Sequence, residues 1–221
     1  FENLRKSLAH SYRLTAFIAA GVLILSQSFA SLVLTGLHTP SNIIGMSLLY
    51  LRIIFCGIPA TAAYNMFASA LRAMGNSKTP LTAMIIASVL NVSLDLLFVA
   101  GFGWGVAGAA IATVIAQSFS AVYCFLILRR IDIVHLTRAD FMPASGMNAR
   151  LMKLGIPVVF QNIIIGVGGL VVQYVINGYG FLFVAGFTAT NKLYGLLEMA
   201  AISYGYAIVT YVGQNLGAGK I

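Results

Sequence analysis

Leu81-Thr82-Ala83-Met84-Ile85-Ile86-Ala87-Ser88-Val89-Leu90-Asn91-Val92-Ser93-Leu94-Asp95-Leu96-Leu97-Phe98-Val99-Ala100-Gly101 decides the fold class. It is mostly apolar over about 20 residues, the length a helix needs to cross the hydrocarbon of a bilayer. Asp95 is its one charged side chain. A glycine turn follows, Gly101-Phe102-Gly103-Trp104-Gly105, and a second apolar run occupies residues 106–128. Two such runs joined so tightly predict antiparallel neighbours.

Four more runs of the same character flank this pair, at residues 14–37, 43–71, 151–177 and 183–213. Together they predict an all-α membrane protein, a polytopic helical bundle of six spans. The composition agrees, with 60% hydrophobic and only 8% charged residues, against about 25% charged in soluble domains. Punctuation falls between the runs. His38-Thr39-Pro40-Ser41 predicts a turn. Gly57 and Pro59 predict a kink inside the second span, because proline removes an internal hydrogen bond. Met74 to Pro80 reads as a tight polar loop and residues 129–150 as one long linker. Pro157 falls in the first turns of the fifth span, and Gly217-Ala218-Gly219-Lys220 closes the sixth.

The net charge of +8 does not point to nucleic acid, because the basic residues lie between apolar runs and form no amphipathic face. They set an orientation instead. With the N-terminus in the cytoplasm, Arg5, Lys6, Arg13, Arg72, Lys78, Arg129, Arg130, Arg138, Arg150, Lys153 and Lys220 all fall inside. Of the 13 Lys and Arg, the other two, Arg52 and Lys192, lie within spans. The N-terminus, linker and C-terminus are therefore expected to be cytoplasmic, in a cell membrane.

Several motifs mislead. Gly103-Trp104-Gly105-Val106-Ala107-Gly108 fits GxGxxG, but a dinucleotide site needs a strand before it. After a membrane span it reads as a tight turn with close helix packing. Asn91-Val92-Ser93 fits a glycosylation acceptor but lies within the membrane. Cys56 and Cys124 sit in apolar runs and read as small hydrophobes. His10, His38 and His135 are far apart, so no transition-metal site is expected. Neither a P-loop nor a nucleophile motif occurs, so an enzyme is not expected and no cofactor is called for.

Ionisable residues inside spans are functional candidates, since each costs at least about 2.5 kcal/mol at the bilayer centre. They are Arg52, Asp95, Lys192 and Glu198. Asn91 lies one turn before Asp95 on the same helix face. At about 1.5 Å per residue, Asp95 is roughly 9 Å and Asn91 roughly 15 Å from the outer end, with Thr113 of the next span between them at roughly 13 Å. A carboxylate, an amide and a hydroxyl can thus converge on a hard cation such as Na+, or the carboxylate can carry a proton. Arg52 reads as structural, its long side chain snorkelling or bonding to backbone carbonyls. Glu198 is six residues past Lys192, a poor match to one face. Lys192, Gln117, Gln161, Asn162 and Asn65 are candidates to line a water-filled cavity, where polar groups avoid lipid.

Particular stretches resemble one family. Tyr50-Leu51-Arg52-Ile53 through Gly57-Ile58-Pro59, then Leu71 to Pro80, resemble the fourth helix and following loop of MATE (multidrug and toxic compound extrusion) transporters. Leu90 to Asp95 and Trp104 to Thr113 resemble their fifth and sixth helices, Lys153 to Pro157 the start of the seventh, and Val212 to Lys220 the end of the eighth. The resemblance implies a twelve-helix, two-lobed transporter working by alternating access, of which this chain holds the third to eighth helices. Residue 1 is not Met and the chain stops just after a span, so a segment of a longer protein is expected. Residues 1–130 would be the later part of the first lobe, 131–150 the inter-lobe linker and 151–221 the start of the second lobe. Asn91, Asp95 and Thr113 match the family's first-lobe cation ligands, and a further Asp would lie upstream of residue 1. Gln161-Asn162-Ile163-Ile164-Ile165-Gly166 stands where some relatives carry an acid, so no coupling carboxylate is expected there.

The resulting expectation is an antiporter exchanging Na+ or H+ for organic, cationic, drug-like compounds. Its partners would be these small molecules and the lipid bilayer, with no nucleic acid. The first rival is a lipid-linked saccharide flippase of the same broad superfamily, favoured by Arg52 and Lys192 and opposed by the Asn91–Asp95 pair. An intramembrane enzyme and a membrane scaffold are weaker rivals.

Overall fold

The computed structural model describes residues 2–36, 43–131, 138–141, 146–179 and 181–220. The turn expected at His38 to Ser41 and much of the 129–150 linker lie outside the described residues. The described chain is helical: α1 (Glu2–Gly36), α2 (Ile44–Cys56), α3 (Ile58–Ala73), α4 (Lys78–Asp95), a π turn (Leu96–Gly101), α5 (Gly105–Arg129), a 3₁₀ turn (Arg138–Phe141), α6 (Met147–Asn177) and α7 (Phe181–Gly217). Six spans are long and apolar enough to cross a membrane, α2 with α3 forming one and α4 with the π turn another. The chain divides into two compact units, Phe1–Ala144 and Ser145–Ile221.

In the first unit α1 starts at Glu2, about three turns before its apolar run. The extension is helical because it packs. Leu8, Ala9 and His10 are buried, and Leu8 joins Ala70, Leu71, Ala83, Cys124 and Leu128 in a core at this end of the unit. The 3₁₀ turn seats against the same extension. Arg13 Nη1 donates to the Phe141 carbonyl at 2.9 Å, and Arg5 Nε lies 3.9 Å from the buried Asp140 carboxylate.

The second span breaks at the expected place. Gly57 separates α2 from α3, its N–H turning back to the Ile54 carbonyl at 2.9 Å, and Pro59 sits in the first turn of α3. A Cβ on Gly57 would lie 2.9 Å from Val114 Cγ2, so α5 runs close against the break. At the other end of α3, Asn76 N–H bonds the Leu71 carbonyl and Gly75 N–H the Arg72 carbonyl. That is a Schellman close, with Gly75 at φ 83°.

Helix α5 is the centre of the unit and touches α2, α3 and α4. The reason is a ridge of mostly small residues repeating every four positions, Gly108, Ala112, Ala116, Ser120, Cys124 and Leu128, all buried. Small side chains let neighbouring backbones come close in a bilayer. The GxGxxG stretch forms the turn into α5. Gly103 and Gly105 take positive φ (68° and 53°), and a Cβ on Gly108 would meet Phe98 Cβ at 2.9 Å. Phe98, Phe102 and Trp104 cluster over it, with ring centroids 5.0 to 6.0 Å apart.

The second unit is α6 packed on α7. Helix α6 begins after Gly146 at φ 80°, a turn before residue 151, and continues through Pro157. Large apolar side chains such as Leu197 and Ile164 stand exposed on both.

Candidate cation site

Helix α4 carries Asn91 and Asp95 on one face, and the tight turn brings α5 back beside them. Asn91 Nδ2 reaches Thr113 Oγ1 at 3.5 Å, a loose contact across the two helices. Thr113 Oγ1 itself donates to the Ala109 carbonyl at 2.9 Å. Its hydrogen is thereby committed to its own helix, and its lone pairs face Asn91. Asp95 lies one turn further along α4. Its Oδ1 is buried and has no hydrogen-bond partner among the described residues. An unsatisfied buried carboxylate oxygen is costly unless a proton or a cation joins it.

The chain departs from α-helical geometry immediately after Asp95. Leu96–Gly101 winds as a π turn, closed by Phe102 N–H to the Leu97 carbonyl and Trp104 N–H to the Phe98 carbonyl, both at 2.9 Å. Such widened turns recur at functional sites. Here it links the residue after Asp95 to the aromatic cluster and Gly108, and so holds α4 and α5 in the register that sets Asn91 opposite Thr113.

On the side toward the 74–80 loop, the same two helices and α3 enclose a cleft of about 170 Å³. Its polar lining is Tyr64, Ser88, Asn91, Thr113, Gln117 and Ser120. Gln117 is thus among the residues lining this cleft. Asn65 is exposed on α3 beside Tyr64 and is not part of this lining.

A family model described as MatE matches residues 1–97 and 157–221. The chain belongs to the MatE family. It is therefore a transporter-family chain and not an enzyme. It is 36% identical over 191 residues to the probable multidrug resistance protein YpnP of Bacillus subtilis, an alignment covering 86% of this chain and 43% of that one. It is 26% identical over 227 residues to the probable multidrug resistance protein YoeA of the same organism, covering 99% and 49%. The multidrug export protein MepA of Staphylococcus aureus is 23% identical over 219 residues, covering 98% and 49%. The chain spans about half the length of the curated relatives it matches.

Solved structures agree on the fold. A MATE protein in the bent conformation superposes with a TM-score of 0.86 at 20% identity, covering 99% of this chain and 54% of that one. A MOP superfamily transporter from Pyrococcus furiosus, described as having a binding pocket of reverse polarity that suggests a different function, gives 0.85 at 20%, covering 99% and 53%. The MatE chain is thus a multi-pass membrane protein with bacterial homologues, and its six spans match half of a MATE transporter fold.

The remaining candidates of this MatE chain are scattered. Lys192, Gln161 and Asn162 are exposed on the second unit, and Asn162 Nδ2 donates to its own helix at the Val158 carbonyl, 2.8 Å away. Among the described residues no ion pair joins Lys192 to Glu198. Arg52 is exposed on α2, and its backbone carbonyl accepts from Gln27 Nε2 at 2.8 Å. Gln27 Nε2 also reaches Cys56 Sγ at 3.3 Å, and Cys56 is exposed where Cys124 is buried. Sequence reasoning missed Ser88, Ser120 and the π turn. Heptad-like spacing of Ser88, Asn91 and Asp95 on α4, and of Thr113, Gln117 and Ser120 on α5, was the available signal.

Proposed function

We propose that this chain supplies the third to eighth helices of a MATE exporter that exchanges Na+ or H+ for organic, cationic, drug-like compounds by alternating access. In this reading residues 1–130 belong to the first lobe, 131–150 link the lobes in the cytoplasm and 151–221 begin the second. Asp95 holds the coupling ion, with Asn91 and Thr113 as oxygen ligands. The observation that carries the reading is the buried, unpartnered Asp95 Oδ1 one turn from the Asn91–Thr113 contact. The relatives named as multidrug resistance and multidrug export proteins support the substrate class.

The coupling logic needs only differential binding. An ion shifts the equilibrium between inward- and outward-open states by as much as it prefers one of them. A carboxylate that alternates between a satisfied and an unsatisfied state supplies that preference.

The test is efflux of a fluorescent cationic dye from vesicles carrying the full-length transporter, with Na+ and H+ gradients imposed separately. Acceleration by one gradient supports the reading and names the ion. If folded protein moves no dye under either gradient, antiport is overturned. The flippase reading then takes its place, with Arg52 and Lys192 as the cations that would meet a pyrophosphate.

A further inference from the structure

The cleft lined by Asn91 and Thr113 also takes in Ser88, Ala116, Gln117 and Ser120, all on the 74–80 side of Asp95. Ser88 is two turns from Asp95 toward the 74–80 loop, roughly 10 Å along the helix axis. The cleft ends where the Tyr64 hydroxyl meets the Pro80 carbonyl at 3.5 Å and Met84 Sδ at 3.8 Å. Its hydroxyls have their hydrogens committed elsewhere. Ser88 Oγ donates to the Met84 carbonyl at 2.9 Å, Thr113 Oγ1 to the Ala109 carbonyl at 2.9 Å, and Ser120 Oγ to the Ala116 carbonyl at 3.3 Å. Asn91 spends one amide hydrogen on Thr113. The hydroxyls therefore offer the cleft oxygen lone pairs, and Asn91 and Gln117 add an amide oxygen each, a set of oxygens that can coordinate a hard cation.

Size points the same way. A volume of about 170 Å³ is below the roughly 300–1,000 Å³ of drug-sized pockets. At about 30 Å³ per water, it suits a small monovalent cation with part of its hydration shell.

We propose that this cleft is the inner leg of the coupling ion's route: a hard monovalent cation passes between Asp95 and the 74–80 end of the unit along Ser88, Gln117 and Ser120, with the Tyr64 ring as its inner lid. The proposal rests on the antiport reading for the identity of the cargo. The cleft itself is a separate feature, formed by α3, α4 and α5 alone.

The experiment is thiol accessibility in the full-length transporter, in vesicles, with native cysteines replaced. Ser88→Cys and Ala116→Cys report the cleft, Ile115→Cys the apolar face of α5, and Lys78→Cys marks the side that carries the 74–80 loop. Methanethiosulfonate reagents of ethylammonium and of ethylsulfonate are applied to each side. The expected result is reaction of both cleft positions from the Lys78 side, at least about tenfold faster with the cationic reagent, with Ile115→Cys silent. Tyr64→Ala should raise the cleft rates further. Equal rates for the two reagents, or access only from the opposite side, would overturn the route. The readout needs no transport. Ion-driven efflux with a cleft closed to the Lys78 side sinks the route and leaves antiport. Cation-selective access without ion-driven efflux sinks antiport and leaves the route.

Discussion

Asp95 Oδ1 is sealed from solvent without a hydrogen-bond donor, and every functional claim about this chain begins with that atom. In the proposed site its neighbours one turn away, Asn91 and Thr113, would contribute through oxygen geometry and not through charge. Thr113→Val keeps the shape of the side chain and removes the acceptor. With one ligand lost, apparent affinity for the driving ion should fall about tenfold, the equivalent of about 1.4 kcal/mol. The maximal dye-efflux rate at saturating ion should change less than about twofold. Efflux titrated against the imposed ion concentration reads both numbers. These three residues were legible in the sequence because a carboxylate in an apolar run is conspicuous and helix rise converts position into depth. Ser88 and Ser120 were not. Their three-and-four spacing marks the same faces as Asn91 and Thr113, but a serine in a membrane helix usually returns its hydrogen to the backbone, as both do here, and the spacing alone does not show that their oxygens share a cleft.

At the scale of elements, the spans follow from hydropathy, but their ends and joints do not. Helix α1 runs back to Glu2 because Leu8 and His10 are buried against the unit, a tertiary reason that a hydropathy reading cannot contain. The π turn after Asp95 is likewise invisible to periodicity, since one widened turn shifts the pattern by a single residue. It depends on Gly108. Gly108→Ala places a methyl group 2.9 Å from Phe98 Cβ, and no flexible side-chain end is there to move. The expected cost is about 1–3 kcal/mol, seen as a lower melting temperature in detergent. Gly168→Ala, on α6 with nothing within 4 Å, should be neutral or stabilising by up to about 1 kcal/mol. Equal melting temperatures for the two variants would remove the turn from the account.

At the scale of the whole molecule, sequence patterning predicts six spans with basic residues on one side, and the chain matches half of a MATE fold. How the linker is held was beyond it, because the contacts join residues more than a hundred positions apart. The 3₁₀ turn is pinned to α1 through Arg13 and Arg5. Arg13→Ala combined with Asp140→Asn should release it, speeding trypsin cleavage after Arg138 up to about fivefold, since partly exposed pairs contribute up to about 1 kcal/mol. Unchanged cleavage would show that the rest of the seat suffices.

The central claim is that Asp95 carries the coupling ion, and gradient-driven dye efflux by Asp95→Asn and Asp95→Glu full-length transporter, at matched folded amounts, tests it most directly. The account predicts that Asp95→Asn loses at least about tenfold of the gradient-driven rate, the effect of about 1.4 kcal/mol or more. Asp95→Glu should retain ion dependence with altered affinity. Efflux by Asp95→Asn that still follows the ion gradient as the unsubstituted protein does would contradict it.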